Sequence, residues 1–274
     1  MKIPRGWRKY RLPFLFAAGH WSAAGETTGR YLARLIREFP DVVLIGTTES
    51  QDQGVLAEVR AELPDGWAAV KAGEFLAVHR LDTIRLDLPS RTLAAVVVRF
   101  TDVPGLPDWQ NVFAGRFRFR HVASQRRFKV FITHSNSGIE WGDGLRSSAD
   151  LKVQSARTGL TRLGRRARAA ARTGAPRLVA RAFSLVIGDF NLDQKRPAQR
   201  RRLGSWLNGE SIFARGVRTI GDHRGGRLIV GAFLYGWGVE WVGWGRVVPD
   251  REVPMPDEYD HRPLRGVIQF LGRA

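Results

Sequence analysis

The run Leu185-Val186-Ile187 is apolar without a break, closes on Gly188, and is followed at once by Asp189 and Asn191. Such a run reads as a buried strand. The two polar residues, two apart, are aimed to one side of its carboxyl end, where the active sites of α/β proteins gather. A carboxylate there can bind Mg²⁺ or take a proton from water, and an amide can donate to a developing oxyanion. The same string also reads as an Asx turn closing a strand. Two other strand-like runs have polar residues at an end: Val130-Phe131-Ile132-Thr133 leads into His134, Ser135 and Asn136, and Asp260-His261 stands just before the extended stretch 264–271.

Helical and extended patterns interleave along the rest of the chain. Thr27-Thr28 can start a helix whose Tyr31, Leu32, Leu35, Ile36 and Phe39 share a face, stopped by Pro40-Asp41. Val42–Ile45, Phe75–His79, Leu93–Phe100, Phe117–Val122, Leu228–Leu234 and Val239–Val242 read as strands, Leu56–Leu63 as a short helix, and Gly159–Ala182 as a helix broken at Gly174-Ala175-Pro176. Residues 206–217 read as a short mixed segment. With no repeat and no linker, the expectation is one mixed α/β domain over residues 1–274. The basic N-terminus before Pro13–Ala18 allows a secretory signal, but a first core strand and a cytoplasmic protein are the expectation. No stretch reaches the length of a membrane span.

Composition narrows the chemistry. The 274 residues include no cysteine, which removes disulfides, thiolate metal sites and thiol nucleophiles. The net charge of +18 is concentrated: between Arg157 and Arg202 thirteen Lys and Arg face two Asp. A solvated helix face is the ordinary explanation of an Arg run, but so many cations with so few acids suit a phosphate-bearing partner better. Arg157, Arg162, Arg165, Arg166, Arg200 and Arg201 are its candidate contacts.

Taken in order, Thr133-His134, Gly188-Asp189-Phe190-Asn191 and Asp260-His261 before Pro263-Leu264 resemble the motifs of the endonuclease/exonuclease/phosphatase superfamily, and Pro40-Asp41-Val42-Val43-Leu44-Ile45 resembles its approach to a catalytic Glu. The resemblance runs from about Leu12 to Phe270. It implies a four-layer α/β sandwich, two mixed β-sheets flanked by helices, and Mg²⁺-dependent (or Mn²⁺-dependent) phosphoester hydrolysis. Asp189 would then orient or deprotonate the attacking water, Asn191 would hold phosphoryl oxygens, and His134 and His261 would stabilise charge at the phosphate or protonate the leaving oxygen. Asp260 would lie near the metal, with Asn136 among the substrate contacts.

Three positions depart from the family pattern. Where its first strand ends in Asn, this chain reads Phe16-Ala17-Ala18-Gly19-His20, so His20 is the substitute. The metal-binding Glu falls on Thr47, which leaves Glu49, two residues on, as the expected ligand. The Asp that orients the last His falls in the strand Leu228–Leu234, which has no acid. The leading expectation is a nuclease or phosphodiesterase acting on DNA or RNA. The alternatives are a nucleic-acid-binding relative without catalysis, and a phosphatase or phospholipid diesterase.

Overall fold

The structure, a computed structural model, describes residues 6–17, 27–48, 54–87, 93–108, 111–135, 151–172, 182–213, 228–243, 245–248, 252 and 262–273. The chain begins with β1 (Trp7–Ala17), α1 (Thr28–Glu38), β2 (Leu44–Thr47), α2 (Val55–Glu62), β3 (Trp67–Ala72), β4 (Phe75–Arg80), β5 (Ile84–Leu86) and β6 (Ala95–Arg99). Then come β7 (Phe113–His121), β8 (Arg127–His134), α3 (Leu151–Arg172), β9 (Phe183–Asp189), α4 (Pro197–Leu207) and β10 (Glu210–Ser211). The last strands are β11 (Val230–Tyr235), β12 (Val239–Trp241), β13 (Arg246–Val247) and β14 (Leu264–Arg273).

These strands form two seven-stranded sheets. Sheet A has the order β12-β14-β1-β2-β4-β3 with β13 on β14; sheet B has β10-β11-β9-β8-β7-β5 with β6 on β7. Both are mixed: β1 and β2 run parallel, as do β8 and β9, and the remaining pairs are antiparallel. Alternation along each strand then sorts the apolar side chains into three cores. Leu12, Phe14 and Phe16 of β1 meet Phe128, Val130 and Ile132 of β8 and Phe183, Leu185 and Ile187 of β9 between the sheets. On the outer face of sheet A, Leu15 and Ile45 pack against Tyr31, Leu32 and Leu35 of α1 and Val59 of α2. On the outer face of sheet B, Phe131 and Val186 pack under Ala156, Leu160, Leu163 and Ala167 of α3 and Leu203 and Leu207 of α4. The layers are therefore helices, sheet A, sheet B, helices: the expected four-layer sandwich.

The apolar run after the basic N-terminus is a central strand, with Phe14, Leu15 and Phe16 fully buried between β14 and β2. No helix among the described residues is long and apolar enough to cross a membrane. Several elements differ from the sequence expectation. α3 begins at Leu151, eight residues before Gly159, because Val153 and Ala156 continue its apolar stripe. α4, which the sequence pattern did not predict, precedes the mixed segment and runs into its first two residues; its Arg200-Arg201-Arg202 run obscured a stripe reduced to Gln199, Leu203 and Leu207. The far end of the sandwich is fastened by Arg126, buried at 5% exposure, which donates to the carbonyls of Trp237, Gly238 and Leu271 and lies over the rings of Phe183 and Phe270.

Candidate active site

The parallel pairing of β8 and β9 sets His134 directly beside Asp189 as cross-strand partners. Ile132 and Ile187, two residues earlier, fill the core between the sheets, so His134 and Asp189 continue the same inward face at the strands' carboxyl ends. Sheet A closes in from the other side. A Cβ at Gly46 of β2 would lie 2.5 Å from Ile187 Cδ1 and 3.0 Å from Ile132 Cδ1, so glycine lets the two sheets meet beneath the site.

The strand end is held by local hydrogen bonds. Asn191 donates its backbone N–H to Asp189 Oδ1 at 2.8 Å, an Asx turn, and its φ of +49° lies in the left-handed region that Asn tolerates better than most residues. Asn191 Nδ2 donates to the Ser135 carbonyl at 2.7 Å, which commits one of its two amide hydrogens. Ser135 in turn donates its N–H to the Asp189 carbonyl at 2.9 Å and its Oγ–H to the Phe190 carbonyl at 2.5 Å. The Asx-turn reading of the Asp-x-Asn string is thus formed, and the turn fixes the carboxylate at the strand end. Asp189 is 1% and Asn191 5% exposed.

Two residues of this loop were not picked out from the sequence. Ser135 ties the ends of β8 and β9 together. Asp193 accepts the N–H groups of Leu228 and Lys195, both at 3.1 Å, and pairs with Arg196, so it holds the loop together. Serine after histidine and a third acid after Asp189 are too common to have marked either role. Gln194 is buried beside them, donating to the Val230 carbonyl at 2.6 Å, and a Cβ at Gly231 would meet that same amide at 2.7 Å. This neighbour explains why Gly231 carries no side chain, let alone an acid. Val230, the cross-strand partner of Asp189 on β11, is fully buried in the core.

Comparison with known proteins shows what this architecture is. No family model matches the chain, and no curated protein matches it by sequence. Solved structures do. A protein from Bacteroides vulgatus described as an endonuclease/exonuclease/phosphatase matches with a TM-score of 0.66 over 95% of this chain and 99% of that one, at 13% identity. The chain has the endonuclease/exonuclease/phosphatase fold. Proteins of this fold differ in what they act on. A Bacteroides thetaiotaomicron mannosyl-6-phosphatase matches at 0.64 and 13% identity, covering 94% of this chain and 99% of that one. D. rerio TDP2, solved with a single-strand DNA product, matches at 0.61 and 10% identity, covering 94% and 98%.

Within the endonuclease/exonuclease/phosphatase fold, the expected residues fall into three sets. His134, Asp189 and Asn191 come together at the ends of β8 and β9. Arg157, Arg162, Arg165 and Arg166 on α3, and Arg200 and Arg201 on α4, lie in the helical layer outside sheet B. Arg162 donates to the Phe100 carbonyl at 2.9 Å, so part of its hydrogen-bonding capacity is structural. His20, Glu49, Asn136, Asp260 and His261 lie outside the described residues. Thr47, at the expected Glu position, is fully buried, and its hydroxyl donates to the Thr48 carbonyl at 3.2 Å. Among the described residues no three acidic or histidine side chains converge as a metal site. Mg²⁺ is bound through one or two carboxylates together with waters and phosphate oxygens. Asp189 supplies one carboxylate here, with one oxygen already accepting the Asn191 N–H. The described donor set alone does not complete such a site.

Proposed function

We propose that the chain is a metal-dependent phosphodiester hydrolase acting on DNA or RNA. The observation that carries this is the pairing of His134 with Asp189 on the inward face of two parallel strand ends, in a sheet whose outer face is covered by helices rich in arginine. Asp189 orients the attacking water and draws off its proton, while the Asx turn keeps the carboxylate on the cleft side. His134 protonates the leaving oxygen or offsets charge at the phosphate. Asn191, with one amide hydrogen committed to Ser135, turns the other toward a phosphoryl oxygen. His261 would stabilise the phosphate, with His20 and Asn136 at the substrate. Glu49 and Asp260 are the residues that would join Asp189 in holding Mg²⁺ or Mn²⁺, which when bound supplies Lewis acidity at the phosphate.

Nucleic acid is favoured over a compact phosphate ester because the cations extend along whole helices, far more surface than one phosphate group can occupy. The test is hydrolysis of plasmid and single-stranded oligonucleotides with Mg²⁺ or Mn²⁺, with and without chelator. Asp189→Asn, which keeps an acceptor for the Asn191 N–H, is expected to lower kcat by about 10²–10⁴-fold with the fold retained. Equal cleavage by that variant would sink the assignment. A second reading rests on Thr47, Val230 and Gly231, which stand where family carboxylates belong. Salt-sensitive DNA binding without cleavage under either metal would make the chain a binding module. Turnover of sugar phosphates or phospholipid alone would instead make it a phosphatase or phospholipid diesterase.

A further inference from the structure

The outer face of sheet B carries a second concentration of cations, on its strands and continuous with Arg166 of α3. In β7, Arg116, Arg118 and Arg120 alternate with Phe117 and Phe119, whose rings are buried between the sheets, so the three arginines project to the outer face. The register sets Arg118 opposite Lys129 and Arg120 opposite Arg127 on β8, while Arg85 of β5 flanks Arg120 from the other side. Arg85, Arg120 and Arg127 therefore form a row across three adjacent strands, with neighbours about 5 Å apart along the hydrogen-bonding direction. Arg166 of α3 lies close enough to act electrostatically on both Arg116 and Lys129.

One acid answers them among the described residues. Asp87, 5% exposed, takes Arg120 at 2.8 Å and Arg127 at 3.4 Å and stands 3.8 Å from Arg118. Like charges directly opposed across strands are destabilising. Burial, then the neighbouring arginines, hold the Arg116 and Lys129 pKa values below their ordinary range. The Arg116 Nε is buried with no hydrogen-bond partner. A face built this way is relieved when anions fill it. It also lies away from the strand-end site. Arg116 is three residues and Arg120 seven residues along β7 from Phe113, the cross-strand partner of His134, or about 10 and 24 Å.

We propose that this face is an exosite for a polynucleotide backbone, holding the strand along sheet B at a distance from the residues that would cut it. Six of its seven cations are arginine, whose planar fork matches phosphate oxygens two at a time. Among the described residues none of the exposed large apolar side chains, Leu81, Leu93, Val97 and Leu151, sits in these rows, and a lipid surface would call for such groups. The exosite depends on charge placement and stands whether or not the strand ends hydrolyse anything.

The test uses the full chain with all metal chelated, and measures affinity for labelled duplex and single-stranded DNA of about 30 nucleotides across salt concentrations of about 50–200 mM. The triple variant Arg116→Gln, Arg118→Gln, Lys129→Gln is expected to bind more weakly and to flatten the log–log salt dependence by about two to three counterions. Thermal unfolding checks that it folds. Should it not, Lys129→Gln alone carries the test, with a flattening of about one. Unchanged affinity and slope in a folded variant would overturn the exosite. So would binding to phosphatidylserine vesicles with none to DNA. Because no metal is present, absent cleavage in the hydrolysis assay would leave this outcome untouched.

Discussion

Gly188 shows how narrowly the site is built at the scale of single residues. It stands one position before Asp189 on β9, and a Cβ there would run into the carbonyl oxygen of Thr133 on β8. That neighbour is backbone and cannot swing aside, so the close approach that sets His134 beside Asp189 requires glycine. Gly188→Ala is expected to destabilise the fold by about 1–3 kcal/mol, measured by urea unfolding. It is also expected to lower any hydrolytic rate more than its stability loss explains, because β8 must shift against β9. A rate equal to wild type in the folded fraction would show that the spacing of the two strand ends is not critical. Asn191 is constrained in a different way, by its positive φ and its bond to Ser135, so its identity serves the turn.

Single elements divide the work between packing and charge. α3 sets Leu160, Leu163 and Ala167 against sheet B while its arginines lie on other faces, so one helix stabilises the sandwich and carries cations with different residues. Leu160→Ala is expected to cost about 2–5 kcal/mol in chemical denaturation. Arg165→Gln on an exposed face of the same helix is expected to stay within about 0.5 kcal/mol. If both cost the same, the helix is not seated through the apolar stripe. Strand β7 makes the same division by alternation, phenylalanine inward and arginine outward. Its like-charged neighbours on β8 are a cost to the sheet, which Asp87 offsets in part.

At the scale of the whole molecule, two buried histidines couple stability to pH. His79 on β4, 1% exposed, is held at a pKa of about 4 by burial, and burial likewise holds His121 at about 4. A histidine whose folded pKa lies below its ordinary 6.5 binds a proton less readily when folded than when unfolded. The stability it contributes is therefore complete above about pH 6.5 and is lost as the pH falls toward 4, by up to about 3 kcal/mol for His79. Melting temperatures taken from pH 7 down to pH 4 are expected to fall, and His79→Leu is expected to flatten that slope. A variant with the wild-type slope would assign the dependence elsewhere.

Much of this architecture was legible in the residues alone, because period and strand-end polarity are local properties. The runs around Val130 and Leu185, the α1 face from Tyr31 to Phe39, and the polar strand ends at His134 and Asp189 could each be read without knowing what they touch. The order of those strand ends also pointed to the four-layer sandwich that the structure has. β3, β5 and α4 were not legible. Two are short or half-exposed strands, and the third is a helix whose charge outweighs its narrow apolar stripe. What only the tertiary structure decided is adjacency. The parallel pairing of β8 with β9 brings His134 to Asp189 across 55 residues of chain, and the β5-β7-β8 register gathers arginines that look scattered in sequence into one face. Strand register is set by which apolar faces can share a core, a long-range balance that no local period records.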